Sequence, residues 1–215
     1  MTYSVKEIFY TLQGEGAHAG RAAVFCRFSG CNFWSGLERD REKAICNFCD
    51  TDFIGINGQN GGKFKTAEEL ALTVKLIWNE GVEDDNISPF IVCTGGEPLL
   101  QLDQALIEAL HVQGFEIAIE SNGSMTCPEG VDWICISPKS LEHFEQKSGH
   151  ELKLVYPQEG LEPSLFEDLD FEHFYLQPKD EEGRKDENTR AVIDYCMKQP
   201  KWRLSLQSHK ILGID

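Results

Sequence analysis

Three cysteines constrain this chain more than any other feature it carries. Cys31 is followed by fourteen residues, then by Cys46-Asn47-Phe48-Cys49 and directly by Asp50-Thr51. The two-residue gap between Cys46 and Cys49 lets both thiolates address one metal centre. The intervening loop is rich in charge and carries Gly36, so it can fold back and deliver Cys31 as a third thiolate. Thiolates are soft ligands that select zinc, copper(I) or iron–sulfur clusters. A structural zinc site is normally closed by a fourth ligand. No Cys or His follows closely after Cys49, and His18 lies upstream in a segment committed elsewhere. Three thiolates without a local fourth suit a [4Fe–4S] cube with one iron left open. A zinc knuckle with a distant fourth ligand is the alternative.

The rest of the chain agrees with a metal-binding protein of a reducing compartment. The other five cysteines, Cys26, Cys93, Cys127, Cys135 and Cys196, have no metal spacing and read as small packing residues. Eight cysteines and an N-terminus without the basic and apolar regions of a signal peptide point to a cytoplasmic protein. No stretch is long and apolar enough to span a bilayer. The formal charge of −16, from 36 acidic and 20 basic residues, argues against nucleic acid as a partner. It does not forbid a small anionic substrate, because one local Arg or Lys overrides the mean field.

Short apolar runs recur along the 215 residues, each followed by polar groups. The segment 3–9 is a short strand or extended lead-in, and Gln13-Gly14-Glu15-Gly16 is a turn where backbone can approach a ligand. Gln13 offers donors and an acceptor to whatever lies there. Residues 22–28 form the first barrel strand, with Arg27 near its end in need of an anion, either a local acid or a substrate carboxylate. Residues 55–62 are a glycine-rich loop. Thr66 and Glu69 make a capping box for a helix with Leu70, Val74, Ile77 and Trp78 on one stripe, ended by Gly81. Residues 89–93 are a strand buried on both faces, and Thr94-Gly95-Gly96-Glu97-Pro98 sits at its carboxyl end, where ligands bind in α/β folds. Further strands are expected at 115–119, 132–136, 152–156, 174–176 and 203–206, with helices at 102–112 and 190–197. Loops 120–123, 137–139 and 177–180 then share one end of the sheet. The pattern predicts an α/β fold: an abbreviated, partly open parallel barrel of about six strands and three principal helices.

Cys31, Cys46 and Cys49, the aromatic Phe48 before the last cysteine, and Gly95-Gly96-Glu97 after a buried strand together resemble the radical S-adenosylmethionine (SAM) family. That family usually has three residues between its first two cysteines. The fourteen-residue interval here, with Thr-Leu-Gln-Gly-Glu-Gly at 11–16, resembles the 7-carboxy-7-deazaguanine synthases within it. The resemblance covers essentially the whole chain and implies a single radical SAM domain over 1–215 with an extended cluster loop at 31–49. It implies a lyase acting on 6-carboxy-5,6,7,8-tetrahydropterin. The product is 7-carboxy-7-deazaguanine, formed with loss of ammonia on the route to queuosine and related deazapurines. A 5′-deoxyadenosyl radical from SAM would take a hydrogen from carbon 6 of the pterin. The cofactors implied are a [4Fe–4S] cluster on the three cysteines, SAM, and Mg2+ at Thr51.

By the same resemblance SAM lies against Phe48, Asp50, Gly96 and Glu97. Its nucleoside half is lined by Ser137, Pro138 and Lys139, and by Gln177, Pro178, Lys179 and Asp180. The resemblance also implies that the pterin is met by Leu12, Gln13, Gly14, Glu15, Arg27, Thr94 and Asp215. A homodimer and a flavodoxin- or ferredoxin-like electron donor are further expectations. A glycyl-radical-enzyme activase would share the cluster and Gly-Gly-Glu, but would keep the short cysteine spacing. A non-catalytic zinc-stabilised module remains the reading from a different class.

Overall fold

Apolar runs ending in polar loops pair into one nine-stranded sheet in a computed structural model that describes residues 2–84 and 86–214. The chain opens with β1 (Tyr3–Leu12), which turns back as β2 (Ala22–Phe28) in antiparallel register. The short β3 (Gly62–Phe64) pairs with the outer side of β1. Then α1 (Ala67–Gly81) leads to β4 (Phe90–Gly95), and α2 (Gln104–Val112) to β5 (Glu116–Ser121). The strands β6 (Trp133–Ile136), β7 (Ser148–Tyr156) and β8 (Asp170–Pro178) follow, then α3 (Lys185–Lys198), β9 (Trp202–Leu204) and a short α4 (Ser208–Leu212). The order β3-β1-β2-β4-β5-β6-β7-β8-β9 does not close on itself. From β2 to β9 every pairing is parallel. This is the open, mostly parallel α/β barrel expected, enlarged by an antiparallel edge of β1 and β3.

Burial explains why these segments are strands. Phe90, Ile91, Val92 and Cys93 are all at most 1% exposed, so β4 is covered on both faces. One core joins β1, β2, β4 and β5 to α1 and α2. A second joins Leu152, Leu154, Phe174 and Leu176 to Val192 of α3 and to Trp202. Each large side chain buried this way contributes about 1.5–3 kcal/mol. The five free cysteines outside the cluster motif are buried or half-buried. Cys26 and Cys93 sit opposite each other on β2 and β4.

The helices follow their caps. Thr66 Oγ1 accepts the Glu69 amide at 3.2 Å, while Glu69 Oε2 takes the amide of Lys65 at 2.7 Å rather than that of Thr66. Leu70, Ala71, Val74 and Trp78 form the buried stripe of α1, with Ile77 at its edge. α2 starts two residues later than the apolar pattern predicts, because Asp103 caps it and also accepts Tyr3 Oη at 2.7 Å. α3 starts five residues earlier than expected. Its first turn is charged, and only Asn188 and Val192 are buried, so little apolar periodicity marks it. Among the described residues no helix is long and apolar enough to cross a membrane.

Candidate active site

Parallel strands place the loops after β2, β4, β5, β6 and β8 at one rim, and a cavity of about 360 Å³ opens there. Cys31, Cys46 and Cys49 all stand on its wall. The fourteen-residue interval reaches this point by folding back on itself. The Ile45 amide bonds the Phe33 carbonyl at 3.1 Å, which brings its two ends together. Arg41 then ties the loop down: its Nη1 donates to the carbonyls of Asn47 and Cys49, both at 3.1 Å. Its guanidinium lies 4.1 Å from the Trp34 ring centroid and pairs with Glu38 at 2.8 Å.

The sulfurs sit among donors. The Phe33 amide reaches Cys31 Sγ at 3.4 Å. A thiol hydrogen bond with Cys46 holds Cys49 below the ordinary thiol range, helped by the amide and hydroxyl of Thr51, and pushes Cys46 up. Burial pushes Cys31 up. Among the described residues no three His, Cys, Asp or Glu side chains converge to hold a single metal ion. Three thiols on one wall, with N–H and O–H groups directed at sulfur, fit a thiolate-bound iron–sulfur cluster.

The two glycines at the end of β4 explain themselves sterically. Gly95 has φ +133°, and a Cβ there would lie 2.3 Å from the Phe28 carbonyl oxygen. A Cβ on Gly96 would lie 2.1 Å from the Gly30 carbonyl oxygen. With no side chains in the way, the Gly96 amide bonds Phe28 at 3.2 Å and the Glu97 amide bonds Gly30 at 2.9 Å. The β4 loop is thereby fastened to the start of the cysteine loop.

Opposite the cysteines lies a charged network. Lys153 Nζ meets Glu15 Oε2 at 2.5 Å and Glu120 Oε1 at 3.1 Å. Gln13 Nε2 donates to Glu120 Oε1 and Gln177 Nε2 to Glu15 Oε1, each at 3.1 Å. Thr94 Oγ1 reaches Glu120 Oε2 at 3.4 Å. Arg27 bonds Glu7 through Nε at 2.8 Å, so that contact leaves its Nη pair unused. Phe9, Phe25, Phe33 and Trp34 supply apolar wall between these groups. The segment 207–210 covers one side. Lys210 Nζ bridges Asp50 at 2.5 Å and Asp180 at 2.6 Å, and the Ser208 amide and hydroxyl donate to the Gly14 carbonyl at 3.0 and 2.7 Å.

Comparison with known proteins decides what this arrangement belongs to. A 7-carboxy-7-deazaguanine synthase of Caulobacter vibrioides is 62% identical over 214 residues, covering 100% of both chains. One from Burkholderia multivorans is 56% identical over the same span and coverage. The chain belongs to the 7-carboxy-7-deazaguanine synthase family. The crystal structure of QueE from Escherichia coli matches with a TM-score of 0.68 at 26% identity, covering 97% of this chain and 95% of that one. No protein-family model matches the chain.

Most residues singled out in the sequence for a synthase of this family meet at this cavity. Leu12, Gln13, Gly14, Glu15, Arg27, Phe48, Asp50, Thr51 and Thr94 line it. So do Gly96, Ser137, Lys139, Gln177, Pro178 and Asp180. Three others do not line it. Glu97 is fully buried, its carboxylate occupied by Leu99 N at 3.0 Å, Ser121 Oγ at 2.8 Å and Asn122 N at 2.8 Å. It shapes the loop from beneath rather than offering a carboxylate to the cavity. Pro138 presents its carbonyl to Gln158 at 3.3 Å, and Lys179 pairs with Glu181 at 3.4 Å while its Nζ lies 5.3 Å from the Phe48 ring centroid. Asp215 lies outside the described residues. The sequence reading missed Glu7, Glu120, Lys153, Gln207, His209 and Lys210 on the wall, and Arg41 behind it. A lysine inside the apolar run 152–155 was a legible signal; an isolated His-Lys pair in the tail was not.

Proposed function

We propose that this chain is a radical SAM lyase converting 6-carboxy-5,6,7,8-tetrahydropterin to 7-carboxy-7-deazaguanine with release of ammonia. The observation that carries the reading is the meeting, in one cavity of a chain of this family, of three thiols with a cation and a polar network. Cys31, Cys46 and Cys49 would hold a [4Fe–4S] cluster. When bound, the cluster and SAM supply the electron and the radical hydrogen abstraction that side chains cannot.

The chain's own part is binding, orientation and exclusion of water. Arg27 takes the pterin carboxylate with the Nη pair its Glu7 bond does not use. Gln13 and Glu15 take the polar edge of the ring, supported by Thr94 and Glu120. The aromatic walls keep water from the reacting carbon. Gly96, Asp50, Ser137, Lys139 and the 177–180 loop receive SAM, with Glu97 acting through loop shape. Thr51 is the Mg2+ residue in this reading. Its hydroxyl donates to Cys49, which would leave oxygen lone pairs to help hold a hard cation, and that cation would supply positive charge beside the substrate carboxylate.

The domain reading is one radical SAM domain over 1–215, supported by a single sheet running through the chain. A flavodoxin- or ferredoxin-like donor would reduce the cluster, and the working form would be a cytoplasmic homodimer. The test is anaerobic reconstitution. A brown protein absorbing near about 400 nm that releases ammonia from the pterin only with SAM and a reductant supports the reading. Zinc-loaded colourless protein would overturn it.

A further inference from the structure

Lys153 lies on β7 with its side chain 5% exposed, between carboxylates from two distant parts of the chain. Glu15 comes from the turn after β1, and Glu120 from the end of β5. An ammonium in such a place is tolerated only when paired, and here it bonds one oxygen of each carboxylate. The other oxygens are held separately, Glu15 Oε1 by Gln177 and Glu120 Oε2 by Thr94. Glu151, next but one on β7 and 3% exposed, also faces this region, but its carboxylate takes the Ala17 amide at 3.0 Å. Two carboxylates brought this close without a cation would repel, and one would take up a proton. A protonated carboxyl becomes a donor on that oxygen, which reverses what it offers a ligand.

We propose that Lys153 is a positioning residue for substrate recognition. It holds Glu15 and Glu120 as a pair of acceptors, so that the wall selects a heterocycle edge presenting N–H groups, as a 2-amino-4-oxo ring does. The proposal rests on the pterin reading of the cavity and adds the group that sets the polarity of its floor. Gln13 supports the same arrangement, since it bonds Glu120 and also accepts the Glu15 amide at 3.0 Å. Both ion-pair partners of Lys153 belong to this polar wall rather than to the cysteine loop.

The test uses the reconstituted holoenzyme. Equilibrium dissociation constants for 6-carboxytetrahydropterin and for SAM are measured anaerobically on wild type, Lys153→Met and Lys153→Arg. Lys153→Met is expected to weaken the pterin by about tenfold or more, the loss of one charge-assisted interaction, with SAM binding changed by less than about twofold. Lys153→Arg, which keeps the charge, recovers part of the loss. Removing a buried cation can also weaken the fold, so Glu120→Gln and Lys153→Met/Glu120→Gln, which removes the pair together, are measured beside it. Non-additive losses in that cycle support coupling between the two residues. Equal weakening of pterin and SAM, or additive losses, overturns the proposal. Pterin binding unchanged in Lys153→Met, alongside tight wild-type binding, overturns the role of Lys153 alone. Wild type that does not bind the pterin overturns the reading of the cavity itself.

Discussion

A Cβ on Gly14 would stand 2.2 Å from Nδ1 of His209. The two residues come from opposite ends of the chain and pack without a gap, and the Gly14 carbonyl also accepts Ser208. None of the residues of α4 is buried, so this helix is held over the cavity by polar contacts. Gly14→Ala is expected to displace His209 or the whole 208–212 segment. Turnover efficiency for the pterin falls about tenfold, while stability changes by under about 1 kcal/mol, because little apolar surface is lost. Steady-state kinetics beside a thermal melt checks this, and unchanged kinetics would show that the His209 contact is incidental.

The cysteines divide into two groups. Cys31→Ala, Cys46→Ala and Cys49→Ala each remove one of three thiolates and are expected to abolish cluster retention and turnover. Replacing Cys127 or Cys196 by Ser leaves both in place, because neither lines the cavity. Iron and sulfide counts on purified variants decide the matter. A Cys31→Ala protein with full iron that cleaves SAM would show the ligand set to be wrong.

Arg27 tests how the carboxylate is held. Arg27→Lys keeps the charge but loses the planar fork, and it also loses the Nε bond to Glu7. Pterin affinity is expected to drop by about tenfold or more, with SAM affinity nearly unchanged. Titration of both ligands separates this from a structural role, in which the two would weaken together.

Much of this is legible in the sequence. The apolar run 89–93 marks β4, and the Thr66–Glu69 pair marks α1, because burial on both faces and end-capping leave local marks. The rim positions of Gln13, Arg27, Thr94 and Ser137 were readable because each follows or ends an apolar run. What was missed depends on contacts distant in sequence. Glu7 matters through Arg27 on the neighbouring strand, Glu120 through Lys153, and Lys210 through Asp50 and Asp180. Glu97 was placed correctly in its loop, but its carboxylate is consumed by Ser121 and Asn122, partners that only the β4–β5 pairing supplies. The early start of α3 was hidden because its first turn is charged and exposed.

Thr51 tests the proposed cation. Turnover is expected to rise with added Mg2+, and Thr51→Ala to blunt that response while keeping the cluster and SAM binding. Thr51→Ser retains the hydroxyl and most of the activity. Magnesium titrations of chelator-treated enzyme measure this directly. Full-rate turnover without magnesium, or a Thr51→Ala titration matching wild type, would remove the cation from the account.

The central claim is that this cavity turns a carboxylated pterin into a deazaguanine, and mass spectrometry of a single anaerobic reaction tests it most directly. Reconstituted protein, SAM, a reductant and 6-carboxytetrahydropterin are incubated together, with Cys49→Ala in parallel. The account predicts 7-carboxy-7-deazaguanine in the wild-type reaction, dependent on both SAM and pterin, and none with Cys49→Ala. A wild-type protein with its cluster intact that binds SAM yet forms no deazaguanine would contradict it.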